Sequence, residues 1–93
     1  MTTFQPGAIS VTDVVYDHLL IEINHNLLKN KSFEYRIWTK DKRIVRQGSF
    51  RGPMVQMRLS MIDTGNYQLL LSEDGQKWEQ FAFEKKAARL VYA

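Results

Sequence analysis

LSMIDTGNYQLLLSEDGQKWEQFAF, Leu59–Phe83, holds two apolar-rich segments separated by a short polar turn. In the first, Tyr67, Leu69 and Leu71 recur at every second position and point to one side, with Gln68 and Ser72 on the other. A period of two is the signature of a half-buried strand, because successive side chains on an extended backbone face opposite ways. Asp63-Thr64-Gly65 leads into that strand, and Glu73-Asp74-Gly75-Gln76 ends it with Asp-Gly, a hairpin signal. Trp78, Phe81 and Phe83 supply the returning strand, and the step from Trp78 to Phe81 breaks strict alternation, which predicts a bulge or a twist there. Two such strands joined by a tight turn read as the closing hairpin of an antiparallel sheet.

The same period runs back toward the N-terminus. Val55, Met57 and Leu59 alternate with Gln56 and Arg58 over Met54–Ser60, after a chain break at Gly52-Pro53. Phe33, Tyr35 and Ile37 alternate with Glu34, Arg36 and Trp38, so one face is apolar and the other presents Arg36 beside Trp38. Lys40-Asp41-Lys42 is the turn into Ile44–Phe50, although it lacks the glycine that eases a two-residue hairpin. His18–Asn24 is a further half-buried strand, with Leu19, Ile21 and Ile23 inward. Ile9–Thr12 and Val14–Tyr16 read as one short first strand broken at Asp13, and Leu27 with Leu28 as an apolar plug in the polar loop before Ser32. Residues 1–8 read as a loose arm and 86–93 as an edge strand or a tail. About seven strands at spacings of roughly 8–12 residues, each bounded by turn residues, predict an all-β chain. The fold expected is one antiparallel β-sandwich of immunoglobulin-like or fibronectin type, spanning residues 1–93 as a single domain.

Composition narrows the function classes. At 93 residues there is room for one core and no second lobe. The chain has no Cys, so thiol catalysis, thiolate metal sites and disulfide staples are excluded. No apolar run approaches the ~20 residues that span a bilayer as a helix, and Met1–Ser10 lacks the zones of a signal peptide. The net charge of +3 is unevenly spread. Residues 1–28 carry three acids and no Lys or Arg, whereas 29–58 carry nine basic residues against Glu34 and Asp41, a local +7. Such a segment attracts acidic partners, and it is also what a solvated sheet face looks like.

From Phe33 to Lys86 the order of features resembles immunoglobulin-like domains of secreted proteins of gram-negative bacteria. These are the C-terminal sorting domains of type nine secretion cargo and related small single-domain proteins. The resemblance is carried by FEYRIWTKDKRIVRQGSF, an alternating strand, a turn and a strand ending near glycine, and by MRLSMIDTGNYQLLLSEDGQ, a Leu-Ser step, a Gly-x-Tyr turn and a final hairpin. Two departures accompany it: Asp41-Lys42 stands where those domains place a glycine, and the chain continues past FEKK into AARLVYA. The resemblance implies a noncatalytic sandwich in the periplasm or at the cell surface, recognised by a protein partner. A native start at Met1 would imply the cytoplasm instead.

The residues themselves carry no recognisable catalytic pattern. There is no Gly-x-Ser-x-Gly, no phosphate-cradling glycine loop and no His-Glu-x-x-His, and no cofactor or metal is implied. His18 and His25, seven apart across a strand end and a loop, are poorly spaced for joint ligation. The leading reading is a protein-interaction, adaptor or assembly module, with Arg36, Trp38, Arg43, Arg46, Arg51 and Arg58 as candidate contacts and an edge strand as a route to oligomers. Two alternatives stay open. Trp38, Trp78 and Tyr16 could stack on sugar rings, and the basic middle with Trp38 could hold nucleic acid or an acidic polysaccharide.

Overall fold

The computed structural model describes residues 7–87 and holds eight strands and no helix there: β1 Ile9–Val11, β2 Val14–Val15, β3 His18–Ile23, β4 Ser32–Thr39, β5 Ile44–Arg51, β6 Met54–Arg58, β7 Gly65–Ser72 and β8 Glu79–Lys85. They form two sheets, ordered β1-β3-β6 and β2-β8-β7-β4-β5, which face each other as a sandwich. Every neighbouring pair is antiparallel except β2 and β8.

Alternation becomes burial in both layers. Leu19, Ile21 and Ile23 of β3 meet Phe33, Tyr35 and Ile37 of β4 and Tyr67, Leu69 and Leu71 of β7 in one core cluster. Rings stack in pairs across strands within it, Phe33 on Phe50 at 5.5 Å and Tyr67 on Phe83 at 5.4 Å. Tyr67 also donates its hydroxyl to the Asp63 carbonyl at 2.6 Å, which ties the start of β7 to the loop before it.

The first strand does break where Asp13 stands, and its halves lie in different sheets. Thr12 still belongs to the first layer, donating its N–H to the Leu20 carbonyl and accepting the Leu20 N–H on Oγ1. One residue later the Asp13 carbonyl accepts the Glu84 N–H, and the Val15 carbonyl accepts that of Lys86, both in the second layer. Counting the halves separately gives eight strands where about seven were expected. Of the arm expected over residues 1–8, residues 1–6 lie outside the described part, and Ala8 is buried, with its carbonyl accepting the Asn24 N–H. Most of the C-terminal segment, residues 88–93, likewise lies outside it.

Three local expectations are corrected. Ser72 is fully buried, because its hydroxyl is a turn device: it accepts the Gly75 N–H and donates to Asp74 Oδ1, whose oxygen also takes the Gln76 and Lys77 N–H groups. Gly75 sits at φ 78° in that turn, where an L side chain would be strained. Leu28 packs against the core, but Leu27 is 76% exposed and plugs nothing. The β7–β8 register is regular, so β8 has no bulge: Trp78 precedes the strand, and that accounts for the broken alternation. The bulge lies in β5 instead, where Ile37 faces Arg46 and Trp38 faces Ile44, leaving Val45 as the extra residue. In the β4–β5 turn the missing glycine is replaced by Lys42 itself, at φ 63°.

Candidate functional site

The two long sides of the sandwich differ. On each the chain crosses from layer to layer, at Asp13 between β1 and β2 and at Gly52-Pro53 between β5 and β6, but on one the edge strands β1 and β2 hold only 3 and 2 residues. On the other, β5 ends one sheet and β6 ends the other, and no strand lies beyond either among the described residues. An edge strand presents a row of unpaired N–H and C=O groups, so this side is the natural candidate for a contact.

Which groups are free follows from the pairing. Gly52 donates its N–H to the Lys31 carbonyl, one step beyond the Ser32–Arg51 pair. In an antiparallel ladder, hydrogen-bonded and non-bonded pairs alternate. Phe50 and Gly48 are therefore bonded to β4, whereas Arg51, Ser49 and Gln47 turn their N–H and C=O groups away from it, toward the open side. On β6 the Leu59 N–H to the Asp17 carbonyl and the Ile23 N–H to the Pro53 carbonyl fix the phase in the same way, so Met54, Gln56 and Arg58 face outward.

One side chain bridges the gap. Arg46 shares the inward parity of Gly48 and Phe50, opposite Ile37, and there its Nε donates to the Tyr35 hydroxyl at 3.1 Å and its Nη1 to the Arg58 carbonyl at 2.7 Å; the bulge at Val45 shifts only the residues before it. That carbonyl is one of the free groups of β6, so Arg46 adds a second link between the two layers, away from the backbone crossing at Gly52-Pro53. Two residues on, Gly48 lies against Tyr35: a Cβ there would come 3.0 Å from the ring. The absent side chain gives the aromatic ring its place beside the edge.

The other candidate contacts are distributed around this edge. Arg43 immediately precedes β5, its N–H bonded to Thr39 Oγ1, and Arg51 closes the strand opposite Ser32. Among the described residues neither guanidinium has a carboxylate partner. Arg58 uses Nε to hold Ser60 Oγ. Arg36 lies one strand in, between Gln47 and Leu70 on the outer face, with its guanidinium 4.5 Å from the centre of the Trp78 ring. Trp38 is also on that face, half-buried, and its Nε1 is enclosed with no acceptor among the described residues. The structure thus brings Arg43, Arg46 and Arg51 onto one edge with Arg58 opposite, and holds Arg36 and Trp38 apart from it.

Beside Arg43 an open groove of ≈ 430 Å³ runs between the β4–β5 turn and the loop before β7, lined by Val45, Met61, Ile62, Asp63 and Tyr67 among others. Burial pushes the Tyr67 phenol above its ordinary pKa, Asp63 adds to this, and Arg43 pulls it back. Of the three aromatics proposed for sugar stacking, Trp38 and Trp78 lie on the same outer face, either side of Arg36, and Tyr16 lies apart from them. Trp78 precedes the first residue of β8, Tyr16 follows the β2 segment paired with its last, and the face of Trp78 is covered by Arg36. The basic middle is divided too, with Lys31 paired to Glu73 at one end of the sandwich and Lys40–Arg43 at the other. His18 lies 3.4 Å from Asp17, while His25, at the far end of β3, accepts the Leu27 N–H. No three His, Asp or Glu residues come together to hold a metal among the described residues. No described helix is long and apolar enough to cross a membrane.

No protein-family model matches the chain, and no curated protein matches it in sequence. The open side must be read from its own geometry. Charge singled out its arginines in the sequence; the outward backbone of Gln47, Ser49 and Arg51 had no sequence signal, because it depends on which β4 residue each one faces.

Proposed function

We propose that this chain is a noncatalytic protein-binding module, an immunoglobulin-like sandwich of fibronectin type that takes an extended segment of its partner as an added strand along β5. The observation that carries the binding reading is the eight-residue β5 at the end of the five-stranded sheet, with the backbone groups of Gln47, Ser49 and Arg51 turned outward. Main-chain hydrogen bonds to such an edge supply affinity, and alternate side chains supply choice. Support for the fibronectin type comes from the split first strand, the parallel β2–β8 pair and the Tyr67 hydroxyl bonded four residues back to Asp63. The kinship with sorting domains of secreted bacterial proteins belongs to the same proposal and would make the partner part of an export or surface-assembly apparatus.

The test is a display library of random nonapeptides selected against the domain. Ser49→Pro removes an N–H that β4 does not use, and proline is tolerated on edge strands, so the fold is retained by circular dichroism while selected peptides lose binding. Gln56→Pro does the same to the β6 edge and leaves binding intact. Peptides that bind Ser49→Pro as well as the parent overturn the reading, as does loss of binding in Gln56→Pro alone.

A further inference from the structure

Resting on that edge reading, we infer that the segment accepted by β5 is acidic and comes from a different chain rather than from a second copy of this one. From Lys42 to Arg51 the chain carries Lys42, Arg43, Arg46 and Arg51 and no Asp or Glu. An added strand lies about 4.8 Å from β5, inside the Debye length of about 8 Å at physiological salt, so charges on facing strands are only partly screened. A second β5 would bring the same four positive charges against these four, and like charges on paired strands are destabilising. A segment with carboxylates turns that repulsion into attraction.

The two free guanidiniums sharpen the description. Arg46 is committed to Tyr35 and the Arg58 carbonyl, while Arg43 and Arg51 have no carboxylate partner among the described residues. They stand at opposite ends of β5, eight positions apart in sequence and about 25 Å apart at roughly 3.3 Å per residue. The matching segment is therefore about eight residues long with an Asp or Glu near each end. Between these, residues of the added strand that face inward meet Gly48 and the half-buried Phe50, where a short β-branched or apolar side chain fits. Those that face outward meet Gln47 and Ser49, which ask for nothing charged. Arginine can take a carboxylate with two parallel N–H bonds, so each end contact also fixes register.

The experiment uses three end-blocked nonapeptides that alternate threonine with glutamate, lysine or serine, titrated into the whole chain while its amide resonances are followed. The glutamate peptide is expected to bind at least about ten-fold tighter than the serine one, to shift the amides of Gln47, Ser49 and Arg51 first, and to weaken steeply between about 50 and 500 mM salt. The lysine peptide is expected not to bind, and Arg43→Glu with Arg51→Glu is expected to reverse the preference. Equal affinity for all three peptides, abolished by Ser49→Pro, keeps the edge reading and overturns the acidic partner. Glutamate-peptide binding that ignores Ser49→Pro overturns both, because the attraction then lies off the edge. A dimer in sedimentation at micromolar concentration that Ser49→Pro dissociates assigns the edge to a second copy and overturns this inference alone.

Discussion

The chain crosses between the layers on both long sides of this sandwich, but one side is edged by the short β1 and β2 and the other by the longer β5 and β6. Where β1 hands over to β2, successive main-chain bonds at Thr12, Asp13 and Val15 carry the polypeptide from one layer to the next, and the two edge strands there are only 3 and 2 residues long. Between β5 and β6 the chain crosses at Gly52-Pro53, and farther along the edges the layers are spanned by Arg46, reaching from Tyr35 to the Arg58 carbonyl. A side chain can be displaced at far lower cost than a strand, and the 8 and 5 residues of β5 and β6 offer far more free edge, so the short-edged, closed side is assigned to stability and the long-edged, open side to contact. Proteins commonly blunt exposed edges with bulges, inward-turned charges and basic residues, and β5 has all three. That defence acts against copies of the same chain while leaving the outward groups of Gln47, Ser49 and Arg51 accessible to a partner of opposite charge.

The comparison is tested most strongly by putting proline on each side. Glu84 lies in β8, inside its sheet, and its N–H donates to the Asp13 carbonyl. Glu84→Pro removes that bond and leaves the carbonyl unpaired at the crossing, so a loss of at least about 2 kcal/mol is expected in urea unfolding. Ser49→Pro on the open side is expected to cost less than about 1 kcal/mol. Similar losses for the two would mean that β5 is as tightly held as β8, and the contrast between the sides would be gone.

A smaller effect is expected from Arg46→Ala. It removes one half-buried and one exposed hydrogen bond together with the packing of the side-chain stem, about 1 kcal/mol in all. The more telling readout is local: amide exchange should quicken in β5 and β6 and stay unchanged in β2 and β8. Uniform quickening over both sheets would show that Arg46 supports the whole core and not one side of it.

Much of the architecture was legible because the inward residues of β3, β4, β6 and β7 keep a period of two, and that period leaves few folds open. What was misread has physical causes. Ser72 looked solvent-facing because it is polar, yet its hydroxyl is consumed by the turn at Asp74 and Gly75, and a satisfied polar group can be buried at little cost. Alternation from Phe50 places Arg46 inward, but its charge marked it as a surface contact, and the bulge at Val45 had no local signal. Trp78 followed the hairpin so closely that it was taken into the strand, although it lies before β8 and stacks on Arg36. For the candidate site, charge pointed to the arginines, but their sharing of one edge and the direction of its free backbone are properties of pairing, which a single sequence does not carry.

Each side also receives its strand through a hairpin, and the two hairpins are held by different chemistry. The turn into β8 rests on the Asp74 carboxylate, which accepts the Gln76 and Lys77 N–H groups, while the turn into β5 rests on the neutral Thr39 hydroxyl, which accepts that of Arg43. The bonds from Lys77 and Gln76 favour the ionised form and lower the Asp74 pKa. A carboxyl whose folded pKa is depressed contributes stability that is present above its unfolded value, about 3.9, and is lost as pH falls through the folded value. Acid should therefore loosen the hairpin that feeds the closed side before it touches the one that feeds the open side. In an amide titration the Gln76 and Lys77 resonances should move together with a midpoint below that of an ordinary aspartate, while Arg43 stays still. Asp74→Asn should abolish the movement, because an amide accepts the same bonds without titrating. If Arg43 shifts with the same midpoint, the two hairpins are coupled through the sheet, and the independence of the two sides fails with them.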